Sequence, residues 1–304
     1  MTTKISTKII SYYPGCSSQA SGAHLDTSLK AVMPKLGVEL KEVRDWNCCG
    51  ASVGHIAGGH VPVAALSGRN LANAKEDGTT DFVTPCAACY LNSHYTNEKI
   101  INDEHVRNDV NEALGAVGKS YDGSMKVRHI CEVIAKDVGM DAVKAQVKNP
   151  LGGIKVAGYI GCQTVRPFAK TERGGNWETY DEPHFLDDFI SATGATAVPY
   201  KKKTSCCGGS VSVMSPDKTL HLIRDIVQEA ADNGADVIAT PCPLCQTNVE
   251  MYQGMINEKF GTHFNIPVVF YSQLFALSFG MDPNKDAALH QHLIPTDVLK
   301  ARAK

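Results

Sequence analysis

The sequence predicts an α/β protein of two duplicated domains, each with a parallel sheet, related by a pseudo-twofold axis. Three observations carry this expectation. First, the 304-residue chain repeats one cysteine pattern. Cys16, Cys48-Cys49-Gly50 and Cys86-Ala-Ala-Cys89 are followed by Cys162, Cys206-Cys207-Gly208 and Cys242-Pro-Leu-Cys245. Second, the surroundings repeat as well: Tyr-Pro-Gly-Cys16 with Tyr-Ile-Gly-Cys162, Cys-Cys-Gly-Ala-Ser-Val53 with Cys-Cys-Gly-Gly-Ser-Val211, and Val-Thr-Pro-Cys86 with Ala-Thr-Pro-Cys242. Third, short apolar runs alternate with helical patterns, which implies parallel strands with binding groups at their C-terminal edges.

In chain order, Lys8 to Tyr13 reads as a strand halted by Pro14-Gly15. Leu25 to Leu36 has helical spacing, with Pro34 interrupting its last turn, and Val61 to Lys75 is a second helix. Asp81 to Thr84 is a strand stopped by Pro85, and Val127 to Ile134 is an apolar stretch that fits a helix or a strand. The second half opens with a strand from Ile154 to Ile160, stopped by Gly161. Helices follow at Phe185 to Thr193 and Lys218 to Asn233, each closed by glycine, then a strand from Asp236 to Thr240 stopped by Pro241. The offset between matching cysteines grows from 146 at Cys16 and Cys162 to 158 at Cys48 and Cys206, so the second half holds an insertion, placed in the loop-like Thr171 to Pro183. Gly139-Met140-Asp141 and Gly280-Met281-Asp282 close the two units. The domains are expected at 1–150 and 151–304, each long enough for its own core.

A hydrophobic content of 43%, 20% charged residues and a net charge of −2 describe an ordinary globular protein with no electrostatic reason to bind nucleic acid or anionic membrane. The N-terminus lacks a signal-peptide pattern, and the most apolar stretch, Val268 to Met281, contains Ser272, Gln273 and Ser278 and is short of the roughly 20 residues that span a bilayer. A cytoplasmic protein is expected. Structural disulfides are rare there, so cysteines in this pattern point to metal binding or thiol redox chemistry.

A structural zinc site takes four ligands in a closed tetrahedron, commonly from two CxxC-like pairs. Each set here offers one CxxC, one contiguous pair and one distant thiol. Neighbouring cysteines chelate one ion only with strain, yet readily reach different irons of a cluster, so iron-sulfur is the reading preferred to zinc. Five thiols exceed the one cysteine per iron of a cubane four-iron cluster, which suggests an opened cluster with a bridging thiolate.

Two copies of a Cys…Cys-Cys-Gly…Cys-x-x-Cys module resemble the CCG-domain proteins. With no added ferredoxin or flavin domain, the chain is similar to the B subunit of heterodisulfide reductase, roughly from Ile9 to Met281, with all ten ligand positions matched. The resemblance implies that Cys16, Cys48, Cys49, Cys86 and Cys89 hold one noncubane 4Fe-4S cluster and that Cys162, Cys206, Cys207, Cys242 and Cys245 hold the other. It implies two-electron cleavage of a disulfide lying between the clusters, or the reverse oxidation of a thiol or sulfane sulfur. A ferredoxin-like C subunit and a flavin-bearing A subunit are the partners it implies. The substrate is then a disulfide, a thiol or a lipoyl-bound sulfur, and Trp46-Asn-Cys-Cys-Gly-Ala51 looks more like the bacterial sulfur-oxidising subunits. CCG subunits also occur in atypical succinate dehydrogenases and quinol:fumarate reductases, where the chain would transfer electrons or anchor to the membrane.

Other residues admit two readings. His55 and His94 sit near the first motifs and His129 beside Cys131; each is a proton donor to a nascent thiolate or a packed imidazole. Cys131, outside the repeat, reads as a buried structural thiol. Gly50, Gly208 and Gly209 give the backbone freedom beside a cluster. Lys201-Lys-Lys203 is a solvated turn or an attraction for an acidic group. Trp46 and Trp177 read as packing residues, Trp46 close enough to Cys48 to shield it from water. Leu274 to Phe279 reads as core.

Overall fold

The structure is a computed structural model that describes residues 7–51, 59–166 and 177–302. The first half runs β1 (Lys8–Tyr12), α1 (Ala23–Val32), β2 (Val38–Glu42), α2 (His60–Glu76), β3 (Asp81–Thr84), α3 (Ala87–Asn102), α4 (Glu104–Gly115), β4 (Lys126–His129), α5 (Ile130–Glu132) and α6 (Met140–Gln146). The second half continues β5 (Lys155–Gly158), α7 (Phe185–Ala192), β6 (Thr196–Ala197), α8 (Pro216–Asp232), β7 (Val237–Thr240), α9 (Pro243–Met251), α10 (Gln253–Phe260), β8 (Val268–Phe270), α11 (Tyr271–Ser278) and α12 (Asp297–Lys300). Two four-stranded sheets result, ordered β2-β1-β3-β4 and β6-β5-β7-β8. Every pairing in them is parallel.

The expected strands and helices appear within a few residues of their predicted ends. Helix α1 stops at Val32, earlier than Leu36, because Pro34 has no amide hydrogen to continue the ladder. Met33–Leu36 tightens into a 3₁₀ turn closed by Gly37 at φ 75°. The stretch from Val127 divides between the two expectations, strand through His129 and helix from Ile130. β3 and β7 are buried at every position, as central strands of a covered parallel sheet must be. Helix α8 shows the complementary pattern: Leu220, Ile223, Ile226, Val227 and Ala230 form one buried stripe, and Pro216 opens its first turn. The predicted insertion lies partly outside the described residues, at 171–176.

Each half has a core of its own. Leu71, Phe82, Tyr90 and Val110 belong to the first, and Ile223, Ile238, Val249 and Val268 to the second. A third core is built from both halves at once, joining Leu25, Leu29 and Val32 of α1 to Leu274 and Phe275 of α11. Within that seam the Ser28 and Ser272 hydroxyls hydrogen-bond at 2.7 Å. Leu274 to Phe279 is accordingly buried core. The sheets at 8–129 and 155–270 thus fall either side of the expected boundary, while the packing makes one body of them.

Charge anchors the edge of the first sheet remote from the thiols. The buried Arg128 guanidinium donates to Glu132 at 2.7 Å and to both Asp137 carboxylate oxygens at 2.7 and 2.9 Å, and Lys8 pairs with Asp81 at 2.9 Å. In the second half, the segment after α11 inserts His292 between Glu250 of α9 and Gln273 of α11, each at 3.0 Å.

Candidate metal centres at the sheet edges

In both sheets the strand order reverses direction between the two central strands, β1 and β3 or β5 and β7. Open α/β sheets present their binding crevice outside the C-terminal ends of strands at that point. Cys16 follows β1, Cys48 and Cys49 follow β2, and Cys86 and Cys89 follow β3; Cys162, Cys206 and Cys207, and Cys242 and Cys245 follow β5, β6 and β7 in the same way. Cys86 and Cys242 occupy the N-cap positions of α3 and α9, so the second cysteine of each CxxC lies in the first helical turn. Thiolate there faces the positive end of the helix.

Matching scaffolds hold the two sets. The Tyr13 hydroxyl donates to the carbonyl of Asn47 at 2.8 Å, and the Tyr159 hydroxyl donates to the carbonyl of Ser205 at 2.8 Å. Each tyrosine thereby fixes the backbone just before a cysteine pair. Asn92 Nδ2 donates to the carbonyl of Cys49 at 3.2 Å, and Asn248 Nδ2 to the carbonyl of Cys207 at 3.3 Å, tying each CxxC helix to the second cysteine of its pair. The asparagines escape a motif-based reading; their signal is that Asn92 and Asn248 repeat at the 156-residue offset of the CxxC cysteines.

Glycine at two positions keeps the thiol space open. Gly15 and Gly161 have φ of 74° and 77°, and a Cβ on either would lie 2.7 Å from Cys89 Sγ or 2.8 Å from Cys245 Sγ. No side chain fits there.

All five cysteines of the first set line one cavity of about 420 Å³. Its opposite wall comes from the second half, through Gln163, Gly209, Ser210, Val213, Met214 and Leu244. Cys207 and Cys245 Sγ lie 3.7 Å apart, and the amide of Gly208 donates to Cys206 Sγ at 3.3 Å. Cys206 is exposed and Cys162 half-buried, while Cys207, Cys242 and Cys245 are buried.

Crowding shifts the thiol acidities apart. A hydrogen bond from Cys162 brings Cys206 down to about 6. Cys49 is lowered by hydrogen bonds from Cys48 and Cys89, and Cys242 by those from Cys245 and Cys86, while their donors Cys89 and Cys86 are raised. Each set thus holds a thiol shifted toward thiolate, the form that binds metal, beside neighbours shifted toward the protonated form. Among the described residues, no group of three or more Cys, His, Asp or Glu side chains closes on one point as a single ion requires. Five thiols disposed around a cavity fit a polynuclear metal-sulfur group instead, whose irons are spread in space.

The histidines fall differently. His55 lies outside the described residues. His94 does not face the thiols: five residues beyond Cys89 on α3 carry it about 140° round the helix, where it packs on Tyr90 and lines a separate cavity with Asn97, Met125 and Lys126. Burial lowers it to about 4, so at neutral pH the ring is uncharged. His129 is wholly buried at the end of β4, its Nδ1 accepting from the amide of Cys131 at 3.2 Å. Burial lowers it too, to about 4, while Cys242 nearby acts to raise it, which places the ring beside the junction of the two sets. Cys131 is buried beside Tyr271 and raised by burial, an inert core thiol.

The flanking residues resolve into packing roles. Trp46 meets Tyr13 edge-on at 5.5 Å and donates its indole hydrogen to Glu42 at 3.0 Å; Trp177 packs on Phe185 at 4.9 Å. The lysine turn docks against the loop bearing Cys162, the carbonyl of Lys203 accepting from Ile160 and Gly161 at 2.8 and 2.9 Å, while the Lys203 ammonium pairs with Asp187.

Comparison with known proteins agrees with this geometry. The CCG cysteine-rich domain matches residues 10–92 and again 156–250, one copy on each sheet. The chain is 31% identical over 289 residues to the 8-methylmenaquinol:fumarate reductase membrane anchor subunit of Wolinella succinogenes, covering 94% of this chain and 97% of that one. It is 31% identical to a protein of Archaeoglobus profundus described as like the B subunit of heterodisulfide reductase, over 90% of this chain and 92% of that one. Identity is also 31% to the B subunit of a CoB-CoM heterodisulfide reductase of Methanosarcina acetivorans, covering 91% of each chain. A hypothetical protein from Helicobacter pylori shares the fold, with a TM-score of 0.73 at 17% identity over 95% of this chain and 52% of that one.

Proposed function

The chain belongs to the family of proteins built on the CCG cysteine-rich domain, and from that premise we infer that it is the catalytic subunit of a heterodisulfide reductase-like complex acting on a disulfide, thiol or lipoyl-bound sulfur. The observation that carries this reading is the cavity whose one wall is the five thiols of the first set and whose other wall is the second half. Cys16, Cys48, Cys49, Cys86 and Cys89 would hold one noncubane 4Fe-4S cluster, and Cys162, Cys206, Cys207, Cys242 and Cys245 the other. When bound, the two clusters would supply the two electrons that a disulfide needs, together with two protons, to become two thiols. The protein's residues do the rest. Tyr13, Tyr159, Asn92 and Asn248 fix the backbone that carries the thiols, and Ala51, Ala88 and Leu244 give the cavity an apolar wall. Electrons would come from a ferredoxin-like C subunit and a flavin-bearing A subunit.

The test is anaerobic purification with iron, sulfide and zinc quantified, followed by turnover of a disulfide with a reduced one-electron dye. About eight irons per chain with dye oxidation dependent on disulfide supports the reading; one or two zinc ions and no iron ends it. A second reading is favoured by the likeness to the fumarate reductase membrane anchor subunit, in which the chain passes electrons between an iron-sulfur subunit and a quinol. Among the described residues no helix is long and apolar enough to cross a membrane. Flotation with liposomes, with and without the cognate complex, separates the two readings.

A further inference from the structure

The turn after the second cysteine pair exposes apolar side chains in an unusual place. Val213 is 92% exposed and Met214 74% exposed, and both line the mouth of the cavity that holds the first set of thiols. The turn is preformed: the amide of Val211 donates to the carbonyl of Gly208 at 2.8 Å, and that of Ser215 to the carbonyl of Val211 at 2.8 Å. Pro216 then starts α8 directly behind Met214. Two large apolar groups are thus held out over thiols that belong to the opposite half. The described lining adds Ser17, Asn92, Gln163 and Ser210 as neutral polar groups, Leu244 and the alanines as apolar ones, and no carboxylate, ammonium or guanidinium among them. A cavity of about 420 Å³ is within the range of small-molecule sites.

Resting on the disulfide-reductase reading above, we propose that Val213 and Met214 are specificity-determining residues that receive an uncharged alkyl arm of the sulfur substrate while its sulfur faces the first cysteine set. An arm of this kind gains from covering surface that water otherwise wets, and Met supplies a flexible contact that adapts to a linear chain. A sulfonate or phosphate close to the sulfur would lose its hydration with no cation among these residues to replace it.

The experiment uses the full chain with its metal-sulfur groups in place, oxidised, and titrated with three thiols: 3-mercaptopropanol, 6-mercaptohexanol and 3-mercaptopropanesulfonate. The half-saturating concentration is read from the paramagnetic signal that thiol binding changes, with no turnover involved. The expected order is hexanol derivative tighter than propanol derivative by about tenfold, from partial burial of three extra methylenes, with the sulfonate weakest. The double variant Val213→Ser/Met214→Ser, checked for unchanged iron content, should abolish the preference for the longer arm. Val213→Lys/Met214→Lys should invert the order in favour of the sulfonate. Equal half-saturation for all three thiols, or an order unchanged in both variants, overturns the proposal alone. If no thiol alters the signal, the disulfide reading itself falls and the proposal with it.

Discussion

Cys86 and Cys242, the first cysteines of the two CxxC pairs, lie close enough to push each other's acidity apart, Cys86 up and Cys242 down. A residue touching its own counterpart lies on the axis relating two copies, as in an isologous interface. The amide of Ala87 also reaches Cys242. The two cysteine sets therefore approach one another at this pair.

Replacing Cys86 by Ser should consequently disturb both halves. The expected outcome is a changed paramagnetic spectrum from the second set as well as the first, at unaltered second-set iron. Cys16→Ser, remote from the junction, should change the first set alone. Identical second-set spectra in Cys86→Ser and the parent protein would refute coupling through this contact.

Gly15→Ala should remove the metal of the first set while sparing the second. The added Cβ would lie 2.7 Å from Cys89 Sγ, and the φ of 74° costs a non-glycine residue about 1–2 kcal/mol. Iron should fall by about half, and Gly161→Ala should produce the mirror result. Full iron in either variant contradicts the steric argument.

Arg128 should be a stability hotspot. Its removal leaves the buried Glu132 carboxylate uncompensated and leaves Asp137 with Lys8 alone, a change that typically costs about 3–5 kcal/mol. Arg128→Ala should lower the denaturant midpoint accordingly, and Arg128→Met with Glu132→Leu should recover much of the loss. A midpoint shift equivalent to less than about 1 kcal/mol would mean that the network behaves as a surface pair.

Acid should destabilise the fold earlier than carboxylates alone would require. Burial lowers His24 to about 3, and His94 and His129 to about 4, against about 6.5 in the unfolded chain. Between pH 6.5 and 4 the unfolded chain binds more protons, so stability is full above 6.5 and declines as pH falls through that window. Melting temperature measured from pH 7.5 to 4.5 should fall steadily, and His94→Gln should flatten the slope. Below about pH 4 a second loss begins, as Asp137 takes up a proton in the unfolded chain while Arg128 holds it near 2 in the fold. A flat profile between pH 6.5 and 5 would contradict neutral burial of these rings.

Much of this is legible in the sequence because the cysteines carry their own punctuation: Pro14-Gly15, Gly161, Pro85 and Pro241 end strands immediately before a thiol. The edge strand β2, Val-Glu-Leu-Lys-Glu, alternates buried and exposed positions too briefly to stand out between α1 and the cysteine pair. Helix α3 begins inside the CxxC motif, where the cysteines draw attention from the helical pattern of Tyr90, Ser93, His94 and Asn97. His94 departs from its expected place beside the thiols because distance along the chain says nothing about azimuth on a helix. Val213 and Met214 are unreadable for a different reason, since their meaning comes from facing the other half of the chain.

The seam where α1 lies on α11 has a historical corollary. A single ancestral copy would have exposed the apolar faces now buried by Leu25, Leu29 and Phe275, and two identical copies could have covered them only by pairing. The two repeats are in this sense arranged like the subunits of a homodimer joined by a peptide linker. Fusion released the two copies from identity, so mutations no longer had to suit both sides of the axis. His129 now stands at the end of β4 where Phe270 stands at the end of β8, an asymmetry unavailable to any true homodimer.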